Sequence, residues 1–541
     1  MAANIDQLLR RHQALKRKRT LIESNWREGY DYTYPIRGAM LAMQSGGANP
    51  FIDENAAHSY ARQQQAKIFD GTAADSVRTL ACALVSGTTP AGSRWIGFGA
   101  QGVDEDDLPD DARVWLDDAA DIVWKNIHNS NFDAVHFECE IDTCIPGWFV
   151  MFVDEDPEGG GYEFEQWAIS GVWAAASKPG GPLDIFHREV NMTAEQVVNK
   201  YGPEMVSAQV RTKAQNAPDE MVTIIQCIYP RAGAKGVMQQ NMPIASVHIE
   251  RDTKKLLRES GYHELPVIGP RWMLVPNSVY PLGPVFDAMP DIKSLNKAVE
   301  MSFANMDLAI AGMWIGEDDG VMNPRTLKVG PRKVVVANSV DSLKALEPAG
   351  NFQLGAIEIE RLQRSIRRVL MSNQLEPKEK GQRTLGEVQI EVELIRQLLG
   401  PIYGRWMAEF VKPLAIRCFG LAFRNGVLGQ PPESLHGREL TVRYLSPIAR
   451  SQRLVDVAAM DRFETTMSQE MAAGRMEVAD NYDWDKAARK RAQLLGVPAD
   501  LMIDEDERDE ARDERAEAQQ KQQALSTGAE IAKLISEVEP Q

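Results

Sequence analysis

The chain has 541 residues, enough for several domains and an ample core, and its composition, 44% hydrophobic and 25% charged, is ordinary for a folded protein. Its formal net charge of −17 argues against a protein that wraps nucleic acid by bulk attraction, but not against one that guides nucleic acid without gripping it. There is no apolar run long enough for a transmembrane helix and no signal-peptide pattern at the amino terminus. The five cysteines lack framework spacing, so we expect reduced thiols in a soluble protein made inside a cell.

Helices are predicted for most of the first 130 residues. Apolar spacings of three and four predict a helix over Ile5–Tyr30, which carries the basic cluster Lys16–Arg19. For that cluster we favour a solvated helix face or a subunit contact over a nucleic-acid contact, because a single charge run rarely means more. Gly38–Pro50 is predicted to be a loop and Ala61–Leu84 a single helix. The acidic stretch Asp104–Asp121 leads into a further helix, whose dipole its acids complement.

Strand patterns dominate from about Phe137 to Ile268, with one short helix at Thr193–Tyr201. This alternation predicts an α+β domain with an antiparallel sheet. The strand segments are Trp148–Val153, Tyr162–Ile169, Leu183–Val190, Val222–Tyr229 and Ile244–Glu250.

The stretch from Asp291 to Gly426 organises the rest of the chain. It predicts a helix over about 291–313, a short β-containing excursion over 314–348, and a second helix over Leu354–Ser372. Each helix has an apolar stripe that is expected to face inward. The stripe residues are Ile292, Leu295, Val299, Phe303, Met306, Ile310 and Met313 in the first helix, and Ile359, Leu362, Ile366 and Val369 in the second.

A loop at Asn373–Arg383 separates the second helix from a much longer one. Thr384 and Glu387 have the spacing of a capping box, and the helical stripe that follows includes Trp406 and Phe410. Pro401 and Pro413 lie inside it, so a kinked helix is expected. Beyond it we predict a short strand at Glu439–Tyr444, a helical region over Ser446–Leu495, and a tail from 504 to 541 that is either weakly ordered in isolation or packed in the helical end of a ring.

A search for catalytic or metal-binding patterns finds none, so we expect no enzyme activity, cofactor or metal. There is no phosphate-binding P-loop, no zinc-protease motif and no serine-hydrolase elbow. The group His136, Glu138, Cys139 and Cys144 fits no zinc spacing, and its apolar, strand-like segment favours ordinary packing. Acidic clusters at Asp154–Asp156 and Glu317–Asp319 could bind a divalent ion, although exposed acidic turns have the same appearance and are favoured.

Two groups of basic residues are left as candidates for binding a polyanion. Either they belong to a solvated loop and to pairs with Glu358 and Glu360, or a ring of subunits repeats them around an axis as a collar. They are Lys378, Lys380 and Arg383 in the loop, and Arg361, Arg364 and Arg368 on one face of the second helix.

A series of short motifs, in this order over nearly the whole chain, resembles the head-to-tail connector, or portal, proteins of short-tailed bacteriophages. Each motif alone is weak, and their order gives the assignment its strength. At Tyr280-Pro-Leu-Gly-Pro284 the chain departs from the glycine expected after the tyrosine, and Pro281 stiffens that approach to the first helix. The motifs are Ser86–Trp95, Arg271-Trp272, Val279–Pro284, Pro290–Asn296, Pro324–Pro348, Thr384–Val388, Gly400-Pro401, Glu409-x-x-x-Pro413, Arg424–Gly426 and Val442–Arg453.

The resemblance implies a portal fold with an α+β wing, a two-helix stem, a small β-containing clip, a long kinked helix and a helical crown. The implied segments are wing 1–285, stem helices 286–313 and 351–372, clip 314–350, tunnel loop 373–383, kinked helix and return to the wing 384–450, and crown with tail 451–541.

It also implies a ring of twelve copies at one capsid vertex, assembled in the host cytoplasm, through which double-stranded DNA is packaged, retained and ejected. The implied partners are the terminase motor, scaffold and major capsid proteins, and tail adaptor proteins, with no membrane. The candidates for contact with the tail are Arg325, Lys328, Arg332 and Lys333 in the clip.

Two other functions stay open from the sequence. One is a different ring or assembly component of the same particle. An adaptor would be much shorter, and a scaffold would be mostly helical and charged without the strand region 137–268. The other, less favoured, is an enzyme of unrecognised type.

Overall fold

A computed structural model of the chain describes residues 4–45, 54–103, 108–157, 160–231, 241–311, 313–316, 343–346, 352–375, 400, 404–438, 440–445, 447–495, 497, 503 and 508–518. By its internal contacts the chain divides into two compact units. The first consists of Met1–Ser86 and Ile127–Gly420, and the second of Gly87–Asn126 and Leu421–Gln541.

Helices account for most of the described residues, and short antiparallel strands for much of the rest. The helices in chain order are α1 (Ile5–Thr33), α2 (Pro35–Ser45), α3 (Glu54–Gln65), α4 (Thr72–Thr88), α5 (Asp110–His128), α6 (Phe132–Cys144), α7 (Ala194–Tyr201), α8 (Ala208–Asn216), α9 (Pro284–Ala311), α10 (Phe352–Val369), α11 (Ser372–Leu375), α12 (Lys412–Arg424), α13 (Pro447–Ala472), α14 (Trp484–Leu495) and α15 (508–518).

The strands form several small antiparallel sheets, so the fold is mixed α+β. In chain order they are β1 (Ile96–Ala100), β2 (Met151–Glu155), β3 (Tyr162–Gln166), β4 (Val172–Ala175), β5 (Ile185–Thr193), β6 (Met221–Pro230), β7 (Ile244–Glu250), β8 (Leu256–Tyr262), β9 (Val267–Ile268), β10 (Met273–Leu274), β11 (Pro281–Leu282), β12 (Met313–Gly316), β13 (Leu343–Leu346) and β14 (Leu440–Tyr444).

The largest sheet is a five-stranded meander, β4-β5-β6-β7-β8, in the first unit. Its central strand β6 is an almost unbroken apolar run because both faces are covered. Ile224 packs with α7 and α8 on one face, whereas Ile225 and Cys227 pack with Leu8 of α1 on the other. The sheet is therefore a helix-covered layer and not a half-exposed one.

Local sequence explains how α7 begins and ends beside this sheet. Thr193 Oγ1 accepts from the Gln196 amide at 3.2 Å, and the Gln196 side chain accepts from the Thr193 amide at 3.0 Å, which completes a capping box. Gly202 then ends the helix with φ near 87°. The helix predicted over Thr193–Tyr201 is thus confirmed with its caps.

The main core of the first unit joins α1, α4 and α6 to the helices α9 and α10. Trp26, Trp148 and Tyr280 form its aromatic centre, with ring centroids 5.3 to 5.8 Å apart. Because α9 and α10 contribute Leu295 and Ile366 to the same core, they are held to this unit by apolar packing.

In the second unit, β1 pairs with β14, with Phe98 opposite Val442. At Gly99 the Arg443 side chain crosses the strand pair, and its Nε lies 2.7 Å from where a Cβ would be. At the other end of this unit, Arg491 of α14 pairs with Glu464 of α13, and Tyr482 donates to the same carboxylate at 3.1 Å. The strand predicted at Glu439–Tyr444 and the helices predicted over Ser446–Leu495 are confirmed where the chain is described.

Four of the sequence predictions are wrong in detail. Gly38–Pro50 is not all loop, since α2 extends to Ser45. Gly38 lies inside that helix, at a point where a Cβ would be 2.5 Å from Asp31 Oδ1 of α1, so this glycine marks close packing of two helices and not a loop. The helix predicted over Ala61–Leu84 is two helices, α3 and α4, because the Asp70 carboxylate caps the Thr72 amide at 2.8 Å and starts a new one.

The other two errors fall in the region assigned to strands. Residues 137–144 belong to helix α6, in which residues 139–144 are all buried, so no polar face marked the helical period there. Helix α8 and strand β8 were not anticipated. In α8 only Val210 is buried, so its apolar signal is weak.

Candidate functional site

The predicted pair of helices is formed by α9 and α10, which run in opposite directions. Ser365 Oγ, near the end of α10, donates to Asp291 Oδ2, near the start of α9, at 2.6 Å. The predicted stripes are confirmed for the half of α9 nearest the core and for α10. Buried there are Ile292, Leu295, Leu362 and Ile366, with Val299, Ile359 and Val369 partly buried against them.

The short connection between α3 and α4 holds both helices of the pair. The Asn296 side chain of α9 donates to the Lys67 carbonyl at 2.8 Å and accepts from the Phe69 amide at 2.7 Å. Gln363 of α10 donates to Asp70 Oδ2 at 2.8 Å. These bonds fix the position of α9 and α10 relative to the rest of the first unit.

The outer part of the α9 stripe does not face the core, which corrects the prediction for Phe303 and Met306. Phe303 is 51% exposed, Met306 47%, and Met301 on the same turns of helix 55%. Helix α9 has 28 residues whereas α10 has 18, so α10 is too short to cover it. The unequal lengths of the two predicted helices were a signal for this. Ile310 and Met313 have side chains outside the described part of the chain.

The exposed apolar groups of α9 lie on two sides of the helix. Two residues along a helix correspond to a rotation of about 200°, so Met301 and Phe303 point in nearly opposite directions. Phe303 and Met306, three residues apart, share one side. The Phe69 ring, with its centroid 6.4 Å from that of Phe303, extends this side. We call Phe69, Phe303 and Met306 the α9 patch, and Met301 the opposite apolar side.

The arginine face predicted on α10 is present and exposed. Arg361 forms an ion pair with Glu358 at 2.6 Å and Arg364 one with Glu360 at 3.3 Å, as the intrahelical alternative predicted. All four side chains are more than half exposed, and exposed pairs of this kind bind weakly. Arg368 is exposed as well. The pairs therefore leave a guanidinium-rich surface in contact with solvent.

The remaining candidate residues lie outside the described part of the chain. These are Lys378, Lys380 and Arg383 of the predicted loop, and Arg325, Lys328, Arg332 and Lys333 between β12 and β13. The strands β12 and β13 themselves pair with Met313 opposite Leu346, so the β-containing excursion begins and ends as one antiparallel ribbon.

At Pro413, one of the two positions where a kink is predicted, the helix contains a π-helical turn over Met407–Val411, whereas Pro401 lies outside the described residues. Pro413, in the first turn of α12, has no amide hydrogen to donate, and a π turn is one way to accommodate that loss. Trp406, just before the turn, and Phe410, within it, are buried, as predicted. The capping-box residues Thr384 and Glu387 lie outside the described residues.

The group His136, Glu138, Cys139 and Cys144 is structural. His136 stacks between Phe132 and Phe410, with ring centroids 5.1 and 4.8 Å away, and bonds to the buried Glu140 carboxylate at 2.8 Å. Burial raises the pKa of Glu140, although the hydrogen bond from His136 opposes that rise. Among the described residues, no group of three or more His, Cys, Asp or Glu side chains is placed to hold a metal ion.

The basic cluster of α1 is only partly the solvated face that its sequence predicted. Lys16 bonds to Glu189 of β5 at 2.6 Å, and Arg17 and Lys18 are exposed. Arg19 is fully buried and donates to the carbonyls of Ile169, Ser170 and Val172. It differs from its neighbours because position 19 continues the buried stripe Leu8, His12, Leu15.

Arg271 and Glu409 belong to two of the sequence motifs, but the sequence did not predict a contact between them. The Arg271 guanidinium donates to both carboxylate oxygens of Glu409, at 3.0 and 2.8 Å, and also to the carbonyls of Gly181 and Val279. The pair ties the π turn to the segment that precedes α9.

Comparison with known protein families matches residues 5–503 to a family described as bacteriophage head to tail connecting protein. Among curated proteins, the chain is 24% identical over 560 aligned residues to a portal protein of Salmonella phage epsilon15, an alignment that covers 99% of this chain and 96% of that protein. It is 26% identical over 553 residues to a probable portal protein of Bordetella phage BPP-1, with 98% and 95% covered. No helix in the described ranges is long and apolar enough to cross a membrane.

Proposed function

The chain belongs to the bacteriophage head-to-tail connecting protein family, and from this premise we propose that twelve copies form a ring around a DNA channel at one capsid vertex. The resemblance inferred from the ordered motifs is confirmed. The function is that of a phage portal, a structural component of the virion without catalysis of its own. Within the proposed ring, residues 1–285 form the wing, α9 and α10 the stem, and β12 and β13 the base of the clip.

The observation that best supports a ring of subunits is the exposed apolar surface on two sides of α9. A two-fold dimer needs one self-complementary patch, whereas a head-to-tail ring needs two different surfaces on each subunit. The α9 patch and Met301 are such a pair, because they lie on nearly opposite sides of one helix. In a ring, the α9 patch of one subunit packs against the Met301 side of the next.

The apolar stripe of α10 takes no part in this contact between subunits. Ile359, Leu362 and Ile366 of α10 pack within their own chain, so they do not join neighbouring subunits. The contact between subunits is therefore assigned to the outer turns of α9. The exposed arginines of α10 are available to face the channel or a partner protein.

For the channel, we propose that Lys378, Lys380 and Arg383 contact DNA phosphates transiently, together with Arg361, Arg364 and Arg368. The surplus of acidic residues in the chain, 77 against 60 Lys and Arg, supports this, because a mainly acidic wall keeps a polyanion sliding. The clip residues Arg325, Lys328, Arg332 and Lys333 are proposed to contact tail adaptor proteins. The terminase, scaffold and major capsid proteins are the other proposed partners.

Native mass spectrometry tests the ring. Twelve copies of the 60.3 kDa chain have a mass of about 724 kDa, and end views should show a central hole. The double variant Phe303→Asp, Met306→Asp and the single variant Met301→Asp should each give smaller species. Asn216→Asp introduces a charge at an exposed polar position of α8, outside both sides of α9, and should still form rings.

Mixing the two defective variants makes the test specific to a head-to-tail contact. Met301→Asp retains an intact α9 patch, and the double variant retains an intact Met301 side, so one contact can form between them. The mixture should contain dimers of about 121 kDa, twice the mass of one chain, which neither variant forms alone. Full rings from both variants, or the same loss with Asn216→Asp, would rule out this interface.

A further inference from the structure

A charged cleft of about 400 Å³ lies between α1 and one end of the five-stranded sheet, apart from the stem helices. Helix α1 supplies one wall, and β5, β6 and the turn between β7 and β8 supply the rest. The charged side chains that line it are Asp6, Arg10, Lys16, Glu189, Arg251 and Lys254.

The helical period of α1 places a row of basic groups along this cleft. Arg10, Gln13 and Lys16 line it at intervals of three residues, and Arg17, four residues after Gln13, lies beside the lining on the same face of α1. Arg10 and Arg17 are exposed, and about 10 Å of helix separates them at 1.5 Å per residue.

The opposite wall adds basic groups from a sharp turn. Lys254 adopts a positive φ of 55°, and the Arg251 amide donates to the Thr223 carbonyl at 3.1 Å, which anchors the turn to β6. Both side chains are exposed beside the cleft. The turn geometry therefore directs two more cations to a surface that α1 already makes basic.

The acidic residue at the centre of the cleft is already neutralised. Glu189 accepts from His12 Nε2 at 2.9 Å and from Lys16 Nζ at 2.6 Å. Burial opposes ionisation of Glu189, but these two hydrogen bonds outweigh it and lower its pKa to about 2. His12 also lines the cleft, with its Nδ1 buried and without a hydrogen-bond partner among the described residues. Arg251 pairs with the exposed Asp252 at 3.2 Å, so Arg10, Lys254 and the adjacent Arg17 outweigh the remaining lining acid, Asp6, at this surface.

The lining favours a phosphate backbone over a protein ligand. A docked peptide segment needs a buried aromatic or aliphatic anchor, and the cleft offers only Leu9 and Ile225 as apolar lining. No aromatic side chain lines it, so unstacked bases would find no stacking platform. Lys and Arg side chains around a polar groove are the usual contacts for the phosphates of a duplex, and they carry no sequence preference.

We propose that this cleft binds the phosphate backbone of double-stranded DNA, at a site separate from the channel. The 10 Å between Arg10 and Arg17 corresponds to roughly three phosphate steps of one strand. The site goes beyond the proposed ring, because α1 and the sheet form it within one subunit. In a chain of net charge −17 it is a local basic surface and predicts weak binding that depends strongly on salt.

The test compares two triple variants of the full chain with equal loss of charge. Arg10→Gln, Arg17→Gln, Lys254→Gln removes two cations that line the cleft and one beside it on α1, whereas Lys178→Gln, Lys200→Gln, Arg211→Gln removes exposed cations of the same unit elsewhere. Both carry Lys378→Gln, Lys380→Gln and Arg383→Gln, so that the proposed channel loop does not contribute. The probe is a fluorescein-labelled DNA duplex whose anisotropy is measured over a range of salt concentrations.

The cleft variant should bind at least about tenfold more weakly at low salt, and the slope of log affinity against log salt should fall by about 2 to 3, at roughly 0.9 per phosphate contact. The control variant should keep both values. Equal losses in the two variants, or none in either, would overturn the site. Loss of poly-glutamate binding with duplex binding intact would assign the cleft to an acidic protein and overturn the proposal. Native masses of all variants separate these outcomes from failure of the ring.

Discussion

Arg271 and Glu409, 138 residues apart in sequence, form a bidentate ion pair whose two hydrogen bonds measure 3.0 and 2.8 Å. The Arg271 side chain is 2% exposed and that of Glu409 11%. Glu409 lies in the π turn before α12, and Arg271 precedes the strands that lead into α9. A buried charge pair thus connects the segment that leads into α9 with the π turn before α12.

Removal of one member of this pair should destabilise the chain strongly. Arg271→Ala leaves the Glu409 carboxylate buried without its partner, so we expect the free energy of unfolding to fall by about 3 to 5 kcal/mol. Unfolding in urea at neutral pH measures it. Arg361→Ala is the matched control, because it removes an equally well-formed pair that is exposed, and it should leave the midpoint unchanged. Equal shifts for the two variants would contradict the assignment.

Arg19 should be required for stability although it lies in a run of basic residues. Arg19→Met removes the donors to three backbone carbonyls at residues 169, 170 and 172, and we expect a loss of about 3 kcal/mol or more. Lys18→Met changes the neighbouring exposed cation by the same substitution and should stay within about 0.5 kcal/mol. Urea unfolding of the two variants side by side gives the comparison. A small change in the free energy of unfolding for Arg19→Met would mean that water donates hydrogen bonds to these carbonyls in place of the guanidinium.

Arg19 is buried and Lys18 exposed although they are neighbours in one basic run, which shows how far the sequence alone predicts the structure. Apolar patterns correctly placed most elements, including the strand β7 at its observed bounds. They failed at α6, whose second half is buried throughout and shows no polar face, and at Arg19, where charge was taken as a sign of exposure. Pairing across 138 residues, as between Arg271 and Glu409, leaves no local signal. The candidate site was predicted as a set of basic residues, whereas the exposed turns of α9 emerged only from the helix packing.

Gly283, just before α9, should tolerate no side chain. A Cβ there would lie 2.4 Å from the Ile145 carbonyl oxygen and 2.8 Å from the Gly147 amide nitrogen, and neither backbone atom can move aside easily. We expect Gly283→Ala to cost about 2 kcal/mol or more. Gly355 of α10 has open space around it, so Gly355→Ala should stabilise the chain by about 0.5 to 1 kcal/mol. In thermal unfolding, a lower Tm for Gly283→Ala and a higher Tm for Gly355→Ala would support the close backbone crossing at Gly283. An unchanged Tm for Gly283→Ala would refute it.

His187 should make the first unit less stable as the pH falls. It is fully buried in β5, and burial, with a further contribution from His12, lowers its pKa to about 3 from an ordinary value of 6.5. Between these values the unfolded chain takes up a proton that the folded chain does not. The folded state therefore loses stability as the pH decreases from 6.5, by up to about 1.4 kcal/mol per pH unit.

His187→Phe should remove this contribution, because phenylalanine takes up no proton in either state. The groups that face His187 are His12, stacked at 5.6 Å between ring centroids, Cys227, whose Sγ lies 3.4 Å from Nδ1, and the guanidinium of Arg11, all of which the variant retains. Urea unfolding between pH 8 and pH 5 should give a shallower dependence for the variant, whatever packing cost it shows at pH 8. Because that packing cost is the same at every pH, the test is the slope of the free energy of unfolding against pH. Parallel curves for the two proteins would show that His187 is protonated in the folded chain.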